Sequence, residues 1–369
     1  MGVSVGSGSW RVFQLVANPS WGGGEQYAYD LSRRLLAEGY GVTLVAAPYP
    51  AVVERLQELG TPVHTLGLKG LLDIRSAVAL ARLLRAEEGV ILHAHNFKTA
   101  FTAALARRIA GHRRCRIILT RHLVKRGKKS PHYRWLYRQL DHIIFVSELA
   151  QSVFLSGVGA FDGPHSVVHN GVFLPEGAFD APELRREYGV PAGRPILMSH
   201  GRLCEEKGLH VLIEALGLLQ ADDYHLFLLG SGDEGYVGGL RAEIERQGLS
   251  GRVDFLGFQS PVFPYLAQAD IGVLPSLARE ACPLSCMDYL AAGKPQIASN
   301  GGAQGEIVSS EAGVLVPPGD AEALAHAIGE LLADAGRREA MGRAGRVYFE
   351  GLLTYERFFE RVVGVYFGG

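Results

Sequence analysis

Strand-like and helix-like segments alternate along almost the whole of this chain, and the series runs through twice. Short runs rich in Val, Ile and Leu, bounded by Gly, Pro or Asn, are each followed by a stretch with a helical apolar period. Runs of this kind have no polar face, so they need burial on both sides, which a parallel sheet covered by helices provides. The first series predicts strands at 11–17, 42–46, 63–66, 91–95, 116–120, 143–146 and 166–169, with helices at 25–38, 51–59, 74–87, 99–110, 135–139 and 148–156. The second predicts strands at 196–199, 225–229, 253–256, 271–274, 296–298 and 314–316, with helices at 209–219, 236–247, 263–267, 285–292 and 321–334. At 369 residues the chain is too long for one ordinary core. The expected architecture is therefore α/β, two doubly wound Rossmann-like domains with a cleft between them. Residues 1–172 form the first domain, 173–193 a linker and 194–349 the second. The aromatic C-terminal helix, about 350–369, either packs back on the first domain or is a plain core helix.

Composition narrows the function classes. Apolar residues make up 47% and charged residues 20%, and the net charge is −1, so no overall field draws in nucleic acid. Charge is unevenly distributed, however. No acidic residue stands between Glu88 and Asp141, a stretch that holds Arg121, Lys125, Arg126, Lys128, Lys129, Arg134 and Arg138 with Tyr133, Trp135 and Tyr137 among them. Such a segment suits an anionic ligand or an anionic membrane surface, or is simply a solvated basic loop. The four cysteines lack zinc spacing and fit a reducing compartment. Met1–Ser9 lacks both a basic start and a long apolar core, so it reads as a loose leader and not a signal peptide. With no apolar run of membrane-spanning length, the expected location is cytoplasmic, or attached to the inner membrane face.

Three loops carry candidate chemistry. Gly22, Gly23 and Gly24 follow the first strand and open a helix, a geometry in which backbone N–H groups and the helix dipole favour an anion. Gly201-Arg202 leads to Lys207-Gly208, a strand-to-helix loop whose two cations can grip a diphosphate and stabilise it on departure. Glu280 and Asp288 stand eight apart across a loop entering a helix closed by Gly293, and carboxylates suit hydroxyl groups. Cations for phosphates and carboxylates for hydroxyls together describe a nucleotide-sugar pocket. Gly230-Ser-Gly232-Asp-Glu-Gly235, with Asp254 downstream, nominally meets a dinucleotide fingerprint. Asp254 falls near the start of its strand, where it would not reach a ribose, and the unit is second in its domain, so a turn is the preferred explanation.

The order and spacing of these motifs over nearly the whole chain resemble the retaining GT-B-fold glycosyltransferases of family 4. The resemblance runs through Gly22–Glu25, His93-Ala-His95, Val168-His-Asn-Gly171, Gly201-Arg202 to Lys207-Gly208, Phe255-Leu256-Gly257 and Glu280 to Asp288. It implies that Arg202 and Lys207 hold the donor diphosphate, that Glu280 bonds a donor-sugar hydroxyl, and that Asp288 binds the ribose. It also implies that the backbone at Leu256 and Gly257 faces the base, that Gly23 and Gly24 approach the phosphates, and that His122 lies near the donor sugar, with His95 a second candidate. Two departures stand out. Asp288 replaces the usual Glu, and Pro283 occupies a position where an N–H would otherwise serve the donor, so Leu284 and Ser285 are the expected donors. Lys125, Arg126, Lys128 and Lys129 are the acceptor or membrane candidates. The implied reaction is same-face substitution with Glu280, Arg202, Lys207 and His122 as the catalytic set. No Asp-x-Asp triplet occurs, so neither metal nor other cofactor is expected. Competing possibilities are a nucleotide-sugar epimerase or hydrolase, a non-catalytic binder, and an NAD-dependent oxidoreductase resting on the Gly230 motif alone.

Overall fold

The computed structural model describes residues 10–159, 161–174, 183–219 and 223–368. The expected leader Met1–Ser9 and the middle of the expected linker, 175–182, lie outside the described residues. One sheet comprises β1 (Trp10–Val16), β2 (Gly41–Ala46), β3 (Val63–Thr65), β4 (Gly89–Ala94), β5 (Cys115–Arg121), β6 (His142–Phe145) and β7 (His165–Val167), in the order β3-β2-β1-β4-β5-β6-β7. The other comprises β8 (Ile196–His200), β9 (His225–Leu229), β10 (Val253–Gly257), β11 (Ile271–Leu274), β12 (Gln296–Ser299) and β13 (Gly313–Val316), in the order β10-β9-β8-β11-β12-β13. Every neighbouring pair is parallel. Ile117 and Ile118 point to opposite faces of β5 and both are fully buried, as the continuous apolar runs require.

The order of each sheet reverses once, between β1 and β4 in the first and between β8 and β11 in the second. In an open parallel sheet the loops leaving the C-terminal ends of such neighbours diverge and leave a crevice. The Gly22 loop follows β1, His95 follows β4, the Arg202–Lys207 loop follows β8 and the Glu280 loop follows β11. Each candidate loop therefore stands at its own sheet's crevice because of strand order.

The chain divides into two units, Met1–Asn170 with Phe358–Gly369, and Gly171–Arg357. The expected linker differs from this. Val172 is already tied into the second unit through its N–H to the Leu353 carbonyl, and its own carbonyl accepts from Tyr355. Leu184 is fully buried there and opens a one-turn helix, Leu184–Glu187. The final helix, Tyr355–Phe367, enters the first unit from Phe358 onward. Phe358, Val362 and Tyr366 recur every fourth residue and are all buried, one stripe of a helix laid on a core. The Tyr27 ring meets the Phe358 ring edge-on at 5.1 Å, and Tyr40 stacks on Phe367 at 5.6 Å.

Boundaries shift where local chemistry decides them. The helix expected from 135 begins at Pro131, whose fixed φ and missing N–H suit the first helical position. The turns Glu205–Lys207 and Gln304–Ile307 were not anticipated, because one turn carries too little periodicity to read.

Candidate functional site

In the second unit, Arg202, Lys207, Glu280 and Ser285 line one cleft. Gly208 makes this possible. Its φ is +66°, and a Cβ there would lie 2.0 Å from the Pro275 carbonyl, so only glycine lets the β8 loop close on the β11 loop. Lys207 Nζ then lies 2.7 Å from Glu280 Oε1, with side chains 25% and 17% exposed. The structure thus joins the expected phosphate cation and the expected hydroxyl-binding carboxylate in one ion pair. Arg202 is different: it is 75% exposed and reaches only Glu206, at 3.7 Å. A solvated pair of this kind contributes little.

Asp288 is held from behind. Its Oδ2 lies 2.9 Å from Nε2 of His200, the last residue of β8. His200 Nδ1 is buried and has no hydrogen-bond partner among the described residues. His200 is not legible as a site residue from sequence alone, although its place at a strand end beside Gly201 is a usable signal. Ser285 Oγ donates to the His200 carbonyl at 3.4 Å, linking the helix Leu284–Ala291 to the same strand end.

The expected donor Leu284 is placed at the first position of the helix Leu284–Ala291. Its N–H is already bonded to the Cys282 carbonyl at 3.0 Å, because the chain turns tightly around Pro283 into the helix. The Ser285 amide has no acceptor among the described residues. At the end of β10 the Leu256 carbonyl accepts from Gln259 Nε2 at 2.6 Å, and the Gly257 carbonyl accepts from the Gly230 amide at 2.7 Å. Those carbonyls are therefore engaged within the fold. The adjoining Phe258, missed in the sequence, is 74% exposed. Gln304 lines the cleft, is buried, and has no partner for its Oε1 among the described residues.

The nominal dinucleotide motif has a structural cause. A Cβ on Gly230 or Gly232 would lie 1.8 Å from the carbonyl oxygen of Gly201 or Leu203 respectively. The glycines thus let the β9 loop pack against the β8 loop, where Leu203 and Gly232 form a bridge. Asp254 bonds His225 Nε2 at 2.9 Å near the strand starts, away from the ends where a ribose would sit.

In the first unit the helix Gly23–Ala37 starts at the Gly22 N-cap. A Cβ on Gly23 would meet nothing, whereas one on Gly24 would lie 3.5 Å from the His122 ring. The first anion at this helix start belongs to the protein. Glu25 is buried, accepts from Asn18 Nδ2, and burial raises its pKa despite hydrogen bonds from its own amide, Asn18 and Gly22.

His95 and His122 sit beside one another, stacked at 5.4 Å, with the Tyr27 ring edge-on to both. His95 Nδ1 is 3.2 Å from His122 Nε2, and His95 Nε2 is 2.8 Å from Gln14 Oε1. His93, facing Gln14 across the β1–β4 register, contacts Tyr366 Oη at 2.6 Å and Thr120 Oγ1 at 2.7 Å. Burial, then the positive field of His122, holds His93 down to about 3; burial, then Arg121, holds His122 down to about 3. Burial likewise depresses His95. All three are neutral imidazoles at neutral pH. Among the described residues no cluster of His, Cys, Asp or Glu has the arrangement of a metal site. Lys125, Arg126, Lys128 and Lys129 are exposed, beside Leu123, which is half exposed. Lys128 Nζ contacts Tyr133 Oη at 3.0 Å. Among the described residues no helix is long and apolar enough to cross a membrane.

Comparison with known proteins gives two family matches. Residues 180–348 match the model described as glycosyl transferases group 1, and residues 21–174 match glycosyltransferase family 4. The lipopolysaccharide core biosynthesis glycosyltransferase LpsE of Rhizobium meliloti is 35% identical over 47% of this chain and 49% of its own, so the chain spans about half the length of that relative. A GDP-mannose-dependent α-(1-6)-phosphatidylinositol monomannoside mannosyltransferase of Mycolicibacterium smegmatis is 28% identical over 89% of this chain and 83% of that one. Among solved structures, Anabaena HepE in complex with UDP superimposes with a TM-score of 0.82 at 21% identity, covering 97% of this chain and 100% of that chain. This last likeness concerns the fold, which is the expected GT-B arrangement of two Rossmann-like sheets.

Proposed function

The chain belongs to the group 1 glycosyl transferases, and from that premise we propose that it moves a sugar from a nucleoside-diphosphate sugar to an acceptor hydroxyl. The observation that carries this reading is the Lys207–Glu280 pair at the crevice of the second sheet. It sets a cation for a departing phosphate against a carboxylate for a sugar hydroxyl. Lys207 and the exposed Arg202 compensate the charge that develops on the diphosphate, and Glu280 accepts from a donor hydroxyl through the oxygen that Lys207 leaves free. Asp288, held by His200 through Oδ2, offers Oδ1 to the ribose; the imidazole offsets the shorter reach of Asp by fixing its direction. The exposed ring of Phe258 is suited to stack on the base.

The transfer retains configuration and needs no metal. The bond from the anomeric carbon to the phosphate oxygen breaks, the acceptor oxygen bonds that carbon from the same face, and the acceptor proton passes to the departing phosphate. Glu280 is already committed to Lys207, which favours this route over attack by a carboxylate. The acceptor is a glycan, a lipid-linked glycan or a lipopolysaccharide core, as the names of the relatives suggest. The exposed basic loop Lys125, Arg126, Lys128 and Lys129 recognises its anionic groups or the membrane surface beside it. The oxidoreductase alternative loses its support, since packing accounts for Gly230 and Gly232.

The test is product analysis with UDP-, GDP-, ADP- and TDP-sugars and a set of acceptors, in EDTA, with the new linkage read by NMR. Transfer in EDTA with the donor's anomeric configuration kept is expected. An inverted linkage, or activity that needs added Mg²⁺ or Mn²⁺, would contradict the mechanism.

A further inference from the structure

The histidines of the first unit form a chain of bonds whose direction can be worked out. Gln14 Oε1 is a carbonyl oxygen and only accepts, so at 2.8 Å His95 Nε2 must carry the hydrogen. His95 is a neutral ring, so its Nδ1 is then a bare lone pair. At 3.2 Å that lone pair takes a hydrogen from His122 Nε2. His122 is neutral as well, which leaves its Nδ1 bare and without a partner among the described residues. The second arm agrees in polarity. Gln14 Nε2 donates to Tyr366 Oη at 3.4 Å, Tyr366 donates to His93 Nδ1 at 2.6 Å, and His93 Nε2 donates to Thr120 Oγ1 at 2.7 Å. Gln14 itself is fully buried on β1, where an apolar residue would otherwise be expected.

We propose that Gln14 is a positioning residue: through His95 it fixes His122 as the Nε2–H tautomer, so that His122 Nδ1 is an acceptor for a substrate hydroxyl. The functional half of this rests on the sugar-transfer reading above; the tautomer half does not. A neutral imidazole free to choose either tautomer would present a donor part of the time, and a hydroxyl held by its hydrogen would then be misplaced. His122 acts on this account as a hydroxyl-orienting acceptor and not as a general acid.

The test begins with the unaltered full-length chain, labelled with ¹⁵N-histidine, and long-range ¹H–¹⁵N NMR at pH 7.5, with His95→Asn and His122→Asn for assignment. His95 and His122 are expected as neutral Nε2–H rings. An Nδ1–H His122, or a tautomer mixture, overturns the proposal, because a reversed Gln14 amide would reverse every bond in the chain. Gln14→Leu is expected to release the tautomers and lower kcat for sugar transfer about 10- to 100-fold with donor KM little changed, the scale seen when outer partners that orient metal-bound imidazoles are lost. Gln14→Glu, assayed near pH 8, is the decisive companion. A carboxylate can only accept, so it keeps His95 Nε2–H, loses only the long 3.4 Å donation to Tyr366 Oη, and should restore both the tautomer and most of kcat. Unchanged kcat in a folded Gln14→Leu protein, or no recovery in Gln14→Glu, overturns the positioning role. Complete absence of sugar transfer in every variant with the tautomers as stated would refute the functional reading alone.

Discussion

Acid should unfold the first unit by a route that His93 and His122 define. His93 and His122 are held down to about 3, against an ordinary value near 6.5. The unfolded chain therefore binds two protons that the folded chain refuses over the interval between those values. The sign follows directly: with folded pKa values depressed, the stability is fully present above about pH 6.5 and is lost as pH falls toward 3. Between pH 7.5 and 5 each ring costs about 2 kcal/mol, so the two together cost about 4 kcal/mol, a large share of a typical net stability. His95 and His142, also depressed by burial, add to the loss. Glu25 and Asp30 are raised by burial and act oppositely, nearer the carboxylate range. All three tryptophans, Trp10, Trp21 and Trp135, lie in the first unit, so urea unfolding followed by tryptophan fluorescence reports that unit selectively. The extrapolated free energy should fall with a slope near 1.4 kcal/mol per pH unit for each titrating ring, and His122→Asn should remove one such increment. Equal stability at pH 7.5 and 5, or an unchanged slope in His122→Asn, would refute the assignment of these rings as neutral groups.

Other expected outcomes follow from the second unit and the basic loop. Lys207→Met should lower kcat/KM by roughly 3 kcal/mol in barrier, the usual loss for one preorganised charge-stabilising donor, as measured in steady-state assays; a near-normal value removes Lys207 from the mechanism. Gly232→Ala forces a Cβ to within 1.8 Å of the Leu203 carbonyl and should destabilise the second unit by about 2 kcal/mol or more in urea, while an unaffected midpoint would show that the two loops are not packed as described. His200→Leu frees Asp288 and should weaken nucleotide binding by about tenfold in calorimetry, with wild-type affinity counting against the ribose role. Neutralising Lys125, Arg126, Lys128 and Lys129 together should raise acceptor KM and leave donor affinity alone; unaltered acceptor KM and liposome binding would sink the surface assignment.

Much of the fold was legible because parallel strands buried on both faces leave long apolar runs. Ile91–Ala94 and Ile117–Leu119 could be little else. Loops were legible where a residue type serves one purpose, as with Gly208 closing the β8 loop on the β11 loop. What remained hidden is what tertiary pairing alone creates. Lys207 and Glu280 were each marked from sequence, but nothing in a separation of seventy-three positions says that they touch. His200 and Gln14 were missed for the same reason, since each looks like one more residue of a strand until its partner is in place. The C-terminal helix shows the limit of pattern. Its apolar stripe was plain in Phe358, Val362 and Tyr366, yet the stripe does not say which core it covers. Gly230 and Gly232 show the opposite error, a spacing that fits a ligand loop and serves backbone packing instead.

The central claim is that the β8 and β11 loops of the second unit bind a nucleoside-diphosphate sugar through Lys207 and Glu280 without a metal. Isothermal titration of the full chain with UDP-, GDP-, ADP- and TDP-sugars in EDTA, beside Lys207→Met, tests it most directly. The account predicts saturable binding of one nucleotide sugar in EDTA and at least tenfold weaker binding of that sugar to the variant. Binding only on addition of a divalent cation, or equal affinity in wild type and Lys207→Met, would contradict it.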